Sequence, residues 1–217
     1  MSVEIIKEEF DWARPLEPLD LSKVTGIAFH HMAHPTAGMQ TIHKWHLDRG
    51  WAGFAYNYWI DFYGSIFEGR GLNKGAGLYD PLNRTVLSIG FQGDYDNSEI
   101  IPEAQLIAGV KLVVYLKQLI PAIKTVNGHN YWQNDTSCPG RYFPLERIIE
   151  TSAKIERIKD FDNIAGWAED SAIKVIEKGI MIGDDQGFFN PAMPCTRQEL
   201  AVVVSRLLEL IEQARRI

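Results

Sequence analysis

Residues 24–31 read V-T-G-I-A-F-H-H, a short apolar run of β-prone residues that ends on two histidines. A run of this length and composition predicts a buried strand. Side chains of neighbouring strand residues point to opposite faces, so His30 and His31 cannot both face one site. The stretch therefore predicts a core strand that brings one histidine to a site at its end.

Further strands are predicted along the next hundred residues. Two aromatic or apolar stretches, 55–63 and 85–92, have the composition of strands. Gly64 turns the first of them into another strand at 65–68. A last short strand is predicted over 123–126. Together with residues 24–31, these stretches supply enough strands for one central sheet.

Helices are predicted between these strands. Residues 39–49 predict a short helix that Gly50 ends. Residues 102–119 predict a longer helix, because Pro102 suits a first turn and the residues after it carry an apolar stripe at helical spacing. That stripe consists of Leu106, Val110, Val113 and Val114. Strands interleaved with helices predict an α/β fold, a mixed central β-sheet flanked by helices.

The C-terminal third predicts a second domain that is helical. Apolar residues at helical spacing from Leu145 to Ile158 predict a connecting helix. Helices predicted over 167–178 and 197–213 then flank a turn rich in Gly, Asp and Phe. The predicted parts are an α/β domain over 1–150, a helical linker over 151–159 and a small helical domain over 160–217. A lone core of that size is marginal, so we expect this domain to pack on the first domain or on another copy of itself.

Composition limits the classes of function. The chain has 217 residues, 46% of them hydrophobic, and a formal net charge of -6. It therefore allows a sizeable core and lacks the basic footprint of a nucleic-acid-binding protein. The N-terminus lacks the basic and apolar regions of a secretory signal, and no window reaches the ~18 apolar residues of a membrane span. We expect a protein made in the cytoplasm, without membrane insertion, that something else must release to any target outside.

Three side chains could ligate a soft metal ion. They are a histidine at the end of the first strand, His129 in G-H-N-Y and Cys138 in T-S-C-P-G. Two neutral imidazoles and one thiolate would leave the fourth tetrahedral position of zinc open and the site at a net charge of +1. A water molecule at that position would have a pKa near ~7. A solitary cysteine is more often a buried small hydrophobe, so the residues alone leave both interpretations open.

A series of motifs resembles a known family. In order they are I-A-F-H-H, W-H-L-D-R-G-W, A-Y-N-Y-W-I, E-G-R-G, V-L-S-I-G-F-Q-G-D-Y, G-H and T-S-C-P-G. Together, over about residues 24–147, they resemble the zinc N-acetylmuramoyl-L-alanine amidases, which include phage lysozymes of the amidase type and peptidoglycan recognition proteins. The resemblance implies zinc held by His30, His129 and Cys138. It leaves His31 as an outer or opposite-face residue.

The resemblance also implies catalytic roles for Tyr56 and Thr136. The neutral hydroxyl of Tyr56 would donate a hydrogen bond to the attacked carbonyl or to the zinc-activated water; the alternative is one more aromatic residue in an aromatic strand. Thr136 would bond the developing oxyanion, or it is a loop hydroxyl that satisfies backbone groups. The remaining histidines have plain structural interpretations.

The sequence departs from the family pattern in two places. Eight residues separate His129 from Cys138, one more than the family pattern has, so the loop must bulge. Downstream of E-G-R, where the family often has a histidine after Gly-Ala, the run is G-A-G-L with Gly77. A substrate contact is therefore expected to be missing or supplied from elsewhere.

The C-terminal segment from Phe161 to about Leu208 resembles one S-layer homology motif, a module that binds secondary cell-wall polysaccharide. The match implies Arg197 as the contact to an acidic glycan and Trp167 as a sugar platform. The alternatives are a capping box formed by Thr196 and Glu199 at a helix start, and a core position for Trp167. These modules usually occur in threes, and this chain has one.

Taken together, the sequence predicts a peptidoglycan hydrolase of the phage or prophage endolysin type. It would cleave the amide bond between N-acetylmuramic acid and L-alanine by zinc-activated water. One alternative is a catalytically inactive peptidoglycan-binding protein, against which Cys138 argues, since such proteins as a rule lack the cysteine ligand. Another is a structural surface protein anchored by its tail, against which the single motif argues.

Overall fold

One six-stranded sheet organises the N-terminal part of the chain. Its strands are β1 (Ile5–Lys7), β2 (Gly26–His31), β3 (Tyr58–Ile60), β4 (Ile66–Glu68), β5 (Val86–Phe91) and β6 (Thr125–Gly128). Their spatial order is β1-β4-β3-β5-β2-β6. The pairs are parallel except β3 with β4, which is antiparallel. The mixed sheet predicted from the sequence is confirmed. The computed structural model describes residues 3–215.

Over residues 3–215 there are six α-helices, the first ones beside the sheet and the last ones in the C-terminal part. They are α1 (Met39–Asp48), α2 (Glu103–Leu119), α3 (His129–Trp132), α4 (Leu145–Glu156), α5 (Gly166–Glu177) and α6 (Arg197–Ala214). α2 packs on the sheet, where a Cβ added at Gly109 would lie 2.9 Å from the Phe91 ring of β5. β2 and β5 are buried along their whole lengths. The core thus surrounds the strand that carries His30.

Two predicted elements differ from the structure. The strand predicted over 55–63 is ordered as a strand only at β3, because the carbonyls of Tyr56 and Asn57 accept the backbone N–H groups of Arg70 and Gly71 in a loop. The last strand begins at Thr125 instead of 123. There the chain still turns, with the N–H of Ile123 donating to the carbonyl of Ile120.

The chain divides into two units between residues 149 and 150. In the second unit, Asp184 accepts the backbone N–H groups of Gln186 and Phe188 at 2.9 Å each, which shapes the turn before α6. α6 begins with a capping box formed by Thr196 and Glu199, so this alternative from the sequence is confirmed. Over residues 3–215, every helix is too short or too polar to cross a membrane.

Candidate metal centre

Two parallel strands bring two histidines together. β2 and β6 pair in parallel, with Phe29 opposite Gly128. The next residues along these strands are His30 and His129, so parallel pairing places both at the same edge of the sheet. Their ring centroids lie 4.5 Å apart.

Cys138 completes the cluster from the loop after α3. Its Sγ lies 3.7 Å from His30 Nδ1. One ligand atom from each of His30, His129 and Cys138 lies within 4.8 Å of the others. Residues that are 108 positions apart in sequence thus converge, as the resemblance implies.

Asp96 holds the loop that carries Cys138. One carboxylate oxygen accepts the Ser137 hydroxyl at 2.9 Å, and the other accepts the backbone N–H of Arg141 at 3.2 Å. The Arg141 guanidinium also donates to the carbonyl of Asp96 at 2.9 Å. The loop is therefore fixed on both sides of Cys138, and nothing in the sequence marked Asp96 for this task.

The protonation of the cluster suits a metal ion. Burial lowers the pKa of His30 well below its usual value, and the neighbouring His129 lowers it further. Burial lowers the pKa of His129 as well, so both rings are neutral and offer a lone pair. Burial raises the pKa of the Cys138 thiol to about 12; a dication would reverse this, because a coordinated thiol loses its proton. The donor set fits zinc, which favours nitrogen and sulfur ligands.

Each imidazole has a side-chain partner on its Nε2 atom, and in His30 the other nitrogen, Nδ1, is the one that lies near Cys138 Sγ. His30 Nε2 lies 3.2 Å from the Ser88 hydroxyl, and His129 Nε2 lies 2.8 Å from Gln133 Oε1. Such contacts orient metal-ligating rings. Ser88 is a polar residue inside an apolar strand, a signal that sequence reasoning could have used; Gln133 offers none.

Tyr56 and Thr136 both lie beside the cluster. The Tyr56 ring is buried, with its centroid 5.0 Å from that of His30. Burial, and next the Cys138 thiolate charge, raise the pKa of Tyr56, so its hydroxyl keeps its proton and can donate. The Thr136 hydroxyl accepts the backbone N–H of Cys138 at 3.1 Å. Its own proton remains to donate elsewhere.

His31 belongs to a different cluster, with Asp94 and Asp96. Its Nδ1 accepts the backbone N–H of Tyr95 at 3.0 Å. In a neutral ring the proton therefore lies on Nε2, which faces Asp96 at 3.9 Å. This arrangement has no free imidazole lone pair for a cation and instead supports the Asp96 contacts.

The other histidines are structural, as predicted. His34 Nδ1 accepts backbone N–H groups of its own turn, and His43 bonds the backbone at Asp11 and Phe54. His46 stacks on Trp51, with ring centroids 4.8 Å apart.

Gly77 lies against the cluster. A Cβ there would meet Ser88 Oγ at 2.7 Å and His30 Nε2 at 3.1 Å. A histidine at this position, which the family often has after Gly-Ala, would therefore press on Ser88 and His30.

Two polar residues that the sequence reasoning missed hold the loop around Tyr56. The Asn57 amide donates to the carbonyls of Gly71 and Asn73, at 2.8 and 2.7 Å. Arg70, buried in the E-G-R turn, donates to the carbonyl of Phe54 at 2.6 Å. Both fix the backbone from which Tyr56 extends.

In the second unit, Trp167 is 90% exposed, so the core interpretation of this residue is wrong. Arg197 is the first residue of α6, directly after the capping residue Thr196, and is exposed. Both side chains are therefore accessible to a ligand.

Two family models match the chain. The model described as N-acetylmuramoyl-L-alanine amidase matches residues 20–141, and the S-layer homology domain matches residues 157–201. A solved endolysin, the N-acetylmuramoyl-L-alanine amidase LysCS from Clostridium intestinale, is 26% identical and superposes with a TM-score of 0.62, over 70% of this chain and 95% of that one.

Curated relatives match the two parts separately. Peptidoglycan-recognition protein SC2 of Drosophila melanogaster is 31% identical over 107 residues, which are 47% of this chain and 56% of that protein. The chain thus spans about half the length of this relative. The surface-layer 125 kDa protein of Lysinibacillus sphaericus is 33% identical over 58 residues, 27% of this chain and 5% of that protein.

Proposed function

Because the chain belongs to the N-acetylmuramoyl-L-alanine amidase family, we propose that it hydrolyses the amide bond between N-acetylmuramic acid and L-alanine in peptidoglycan. Zinc held by His30, His129 and Cys138 is its cofactor. The observation that carries the proposal is the convergence of these three ligand atoms within 4.8 Å. Three protein ligands leave a fourth position open, as catalytic zinc sites require.

The residues around the centre have distinct roles in this proposal. When bound, zinc supplies Lewis-acid polarisation of a carbonyl and a water molecule that can attack at neutral pH. Tyr56 donates a hydrogen bond to the carbonyl oxygen as negative charge develops there, and its raised pKa keeps that proton on the hydroxyl. Thr136 adds a second hydroxyl donor while it accepts the N–H of Cys138. Asp96 positions the Cys138 loop.

The second unit of the chain, which contains the S-layer homology match and is called the tail below, has a separate role in the proposal. The S-layer homology domain attaches the enzyme to secondary cell-wall polysaccharide, with exposed Trp167 stacking on sugars and Arg197 pairing with acidic groups. A second attachment raises the local concentration of the catalytic domain at the wall. The enzyme is an endolysin, released from the cytoplasm to act on the wall.

The test measures zinc and cleavage together. We expect about one zinc per chain and, on purified peptidoglycan, the release of new N-terminal alanine residues. A strong chelator abolishes this release and added zinc restores it. Cys138→Ser is the variant that weakens the centre, and Cys195→Ser is its matched control, since Cys195 is exposed in the second unit. Full cleavage by metal-free protein contradicts the mechanism, and wall binding without cleavage by the zinc-loaded protein indicates an inactive receptor.

A further inference from the structure

The side chain of Gln133 contacts His129, one of the three proposed zinc ligands. Gln133 lies four residues after His129, and its backbone N–H donates to the His129 carbonyl at 2.9 Å, which continues the turn of α3. Side chains four apart on a helical turn are neighbours. The Gln133 side-chain oxygen accordingly reaches His129 Nε2 at 2.8 Å.

A neutral imidazole has one N–H donor and one lone pair. An amide oxygen only accepts, so its contact with Nε2 places the proton there and leaves the Nδ1 lone pair of His129 for the cluster. The matching contact at His30 differs, because the Ser88 hydroxyl at 3.2 Å can either donate or accept. As oriented in the structure, the Gln133 oxygen faces Nε2 and favours the Nε2–H tautomer, whereas the Ser88 hydroxyl is compatible with either tautomer of His30.

We infer that Gln133 is a positioning residue that holds His129 in the Nε2–H tautomer and so presents Nδ1 to the zinc of the proposed amidase, on which this inference rests. A neutral amide has a further consequence. A carboxylate in its place would make the ring a more basic ligand, whereas the amide orients the ring without adding charge to a site whose net charge with zinc is +1.

The test reads the tautomer directly. Long-range proton–nitrogen NMR correlations of ¹⁵N-histidine in metal-free protein are expected to show the His129 proton on Nε2. Gln133→Met keeps the length of the side chain but removes the acceptor, so both tautomers should appear and zinc affinity, measured by chelator competition, should fall by about 10- to 100-fold. Gln133→Glu should bind zinc at least as tightly as the wild type. Gln40→Met is the control, since Gln40 bonds Glu8 and no imidazole of the cluster.

Three outcomes would overturn the inference: a wild-type His129 proton on Nδ1, a Gln133→Met protein with unchanged tautomer and zinc affinity, or equal losses of affinity in the Met and Glu variants. The last result would indicate packing alone. If the wild-type protein binds no zinc, the proposed function fails, while the NMR result on metal-free protein still decides the role of Gln133.

Discussion

Substitution of Gly77 by alanine tests how closely the outer residues pack on the centre. The new Cβ would lie 2.7 Å from Ser88 Oγ and 3.1 Å from both Ser88 Cβ and His30 Nε2. Ser88 is fully buried in β5, so its backbone cannot withdraw and only its hydroxyl can rotate. That rotation would break the contact between the Ser88 hydroxyl and His30.

The expected loss of stability follows from the crowding around the added methyl group. Extra methyl groups in a packed core cost about 1–3 kcal/mol, which for a chain of this size lowers Tm by about 2–12 °C. Loss of the contact between the Ser88 hydroxyl and His30 should also weaken zinc binding by up to about 100-fold. Calorimetry of the metal-free protein and chelator competition measure the two effects independently.

Two variants make this experiment decisive. Gly166→Ala is the control, since a Cβ at Gly166 has no heavy atom within 4 Å. Adding Ser88→Ala to Gly77→Ala removes the 2.7 Å contact, so part of the stability should return while zinc affinity stays low. The reasoning is refuted if the Gly77→Ala protein has the same Tm as the Gly166→Ala control and the same zinc affinity as the wild type.

Three other predictions follow from the site and the tail. Tyr56→Phe should lower amide cleavage by about 10²–10³ through loss of a hydrogen bond to the reacting carbonyl, with zinc content unchanged; wild-type turnover would leave Tyr56 a packing residue. Burial lowers the pKa of the His46 imidazole to about 4. As the pH drops below about 6.5, His46 is therefore protonated in the unfolded chain before it is protonated in the folded one, so Tm should fall between about pH 6.5 and 4. A His46→Leu protein whose Tm falls equally steeply would contradict this. Arg197→Ala should weaken retention of the isolated second unit, residues 150–217, on walls, while Arg157→Ala in the same unit, an equal change in charge, should not. Equal retention of both variants would point away from Arg197 as the glycan contact.

Local patterns predicted the elements that lie deepest in the fold. β2 and α2 have apolar patterns whose burial favours one choice of secondary structure, and the predicted bounds of both lie within two residues of the observed ones. The segment around Tyr56 was not, because its backbone groups bond a loop about fourteen residues downstream. β1, the three-residue strand Ile-Ile-Lys, is too short to carry a pattern of its own and depends on its pairing with β4.

The residues of the site also fall into those that the sequence could predict and those that it could not. His30, His129 and Cys138 could be named because the motif order resembles a family, whereas residue types alone favoured a buried cysteine over a metal ligand. Ser88, Gln133 and Asp96 act through side-chain contacts whose partners are set by the tertiary fold. No periodicity or spacing in one sequence encodes such contacts.

β6 forms the edge of the sheet. It is only four residues long, and of the described strands it pairs with β2 alone. Sub-global openings begin at such weakly held elements and require less free energy than unfolding of the core. Detachment of β6 would carry His129 away while β2, with His30, stays in place. Metal exchange and amide hydrogen exchange in β6 should therefore share one opening step, so the lifetime of the bound ion can change without any change in global stability.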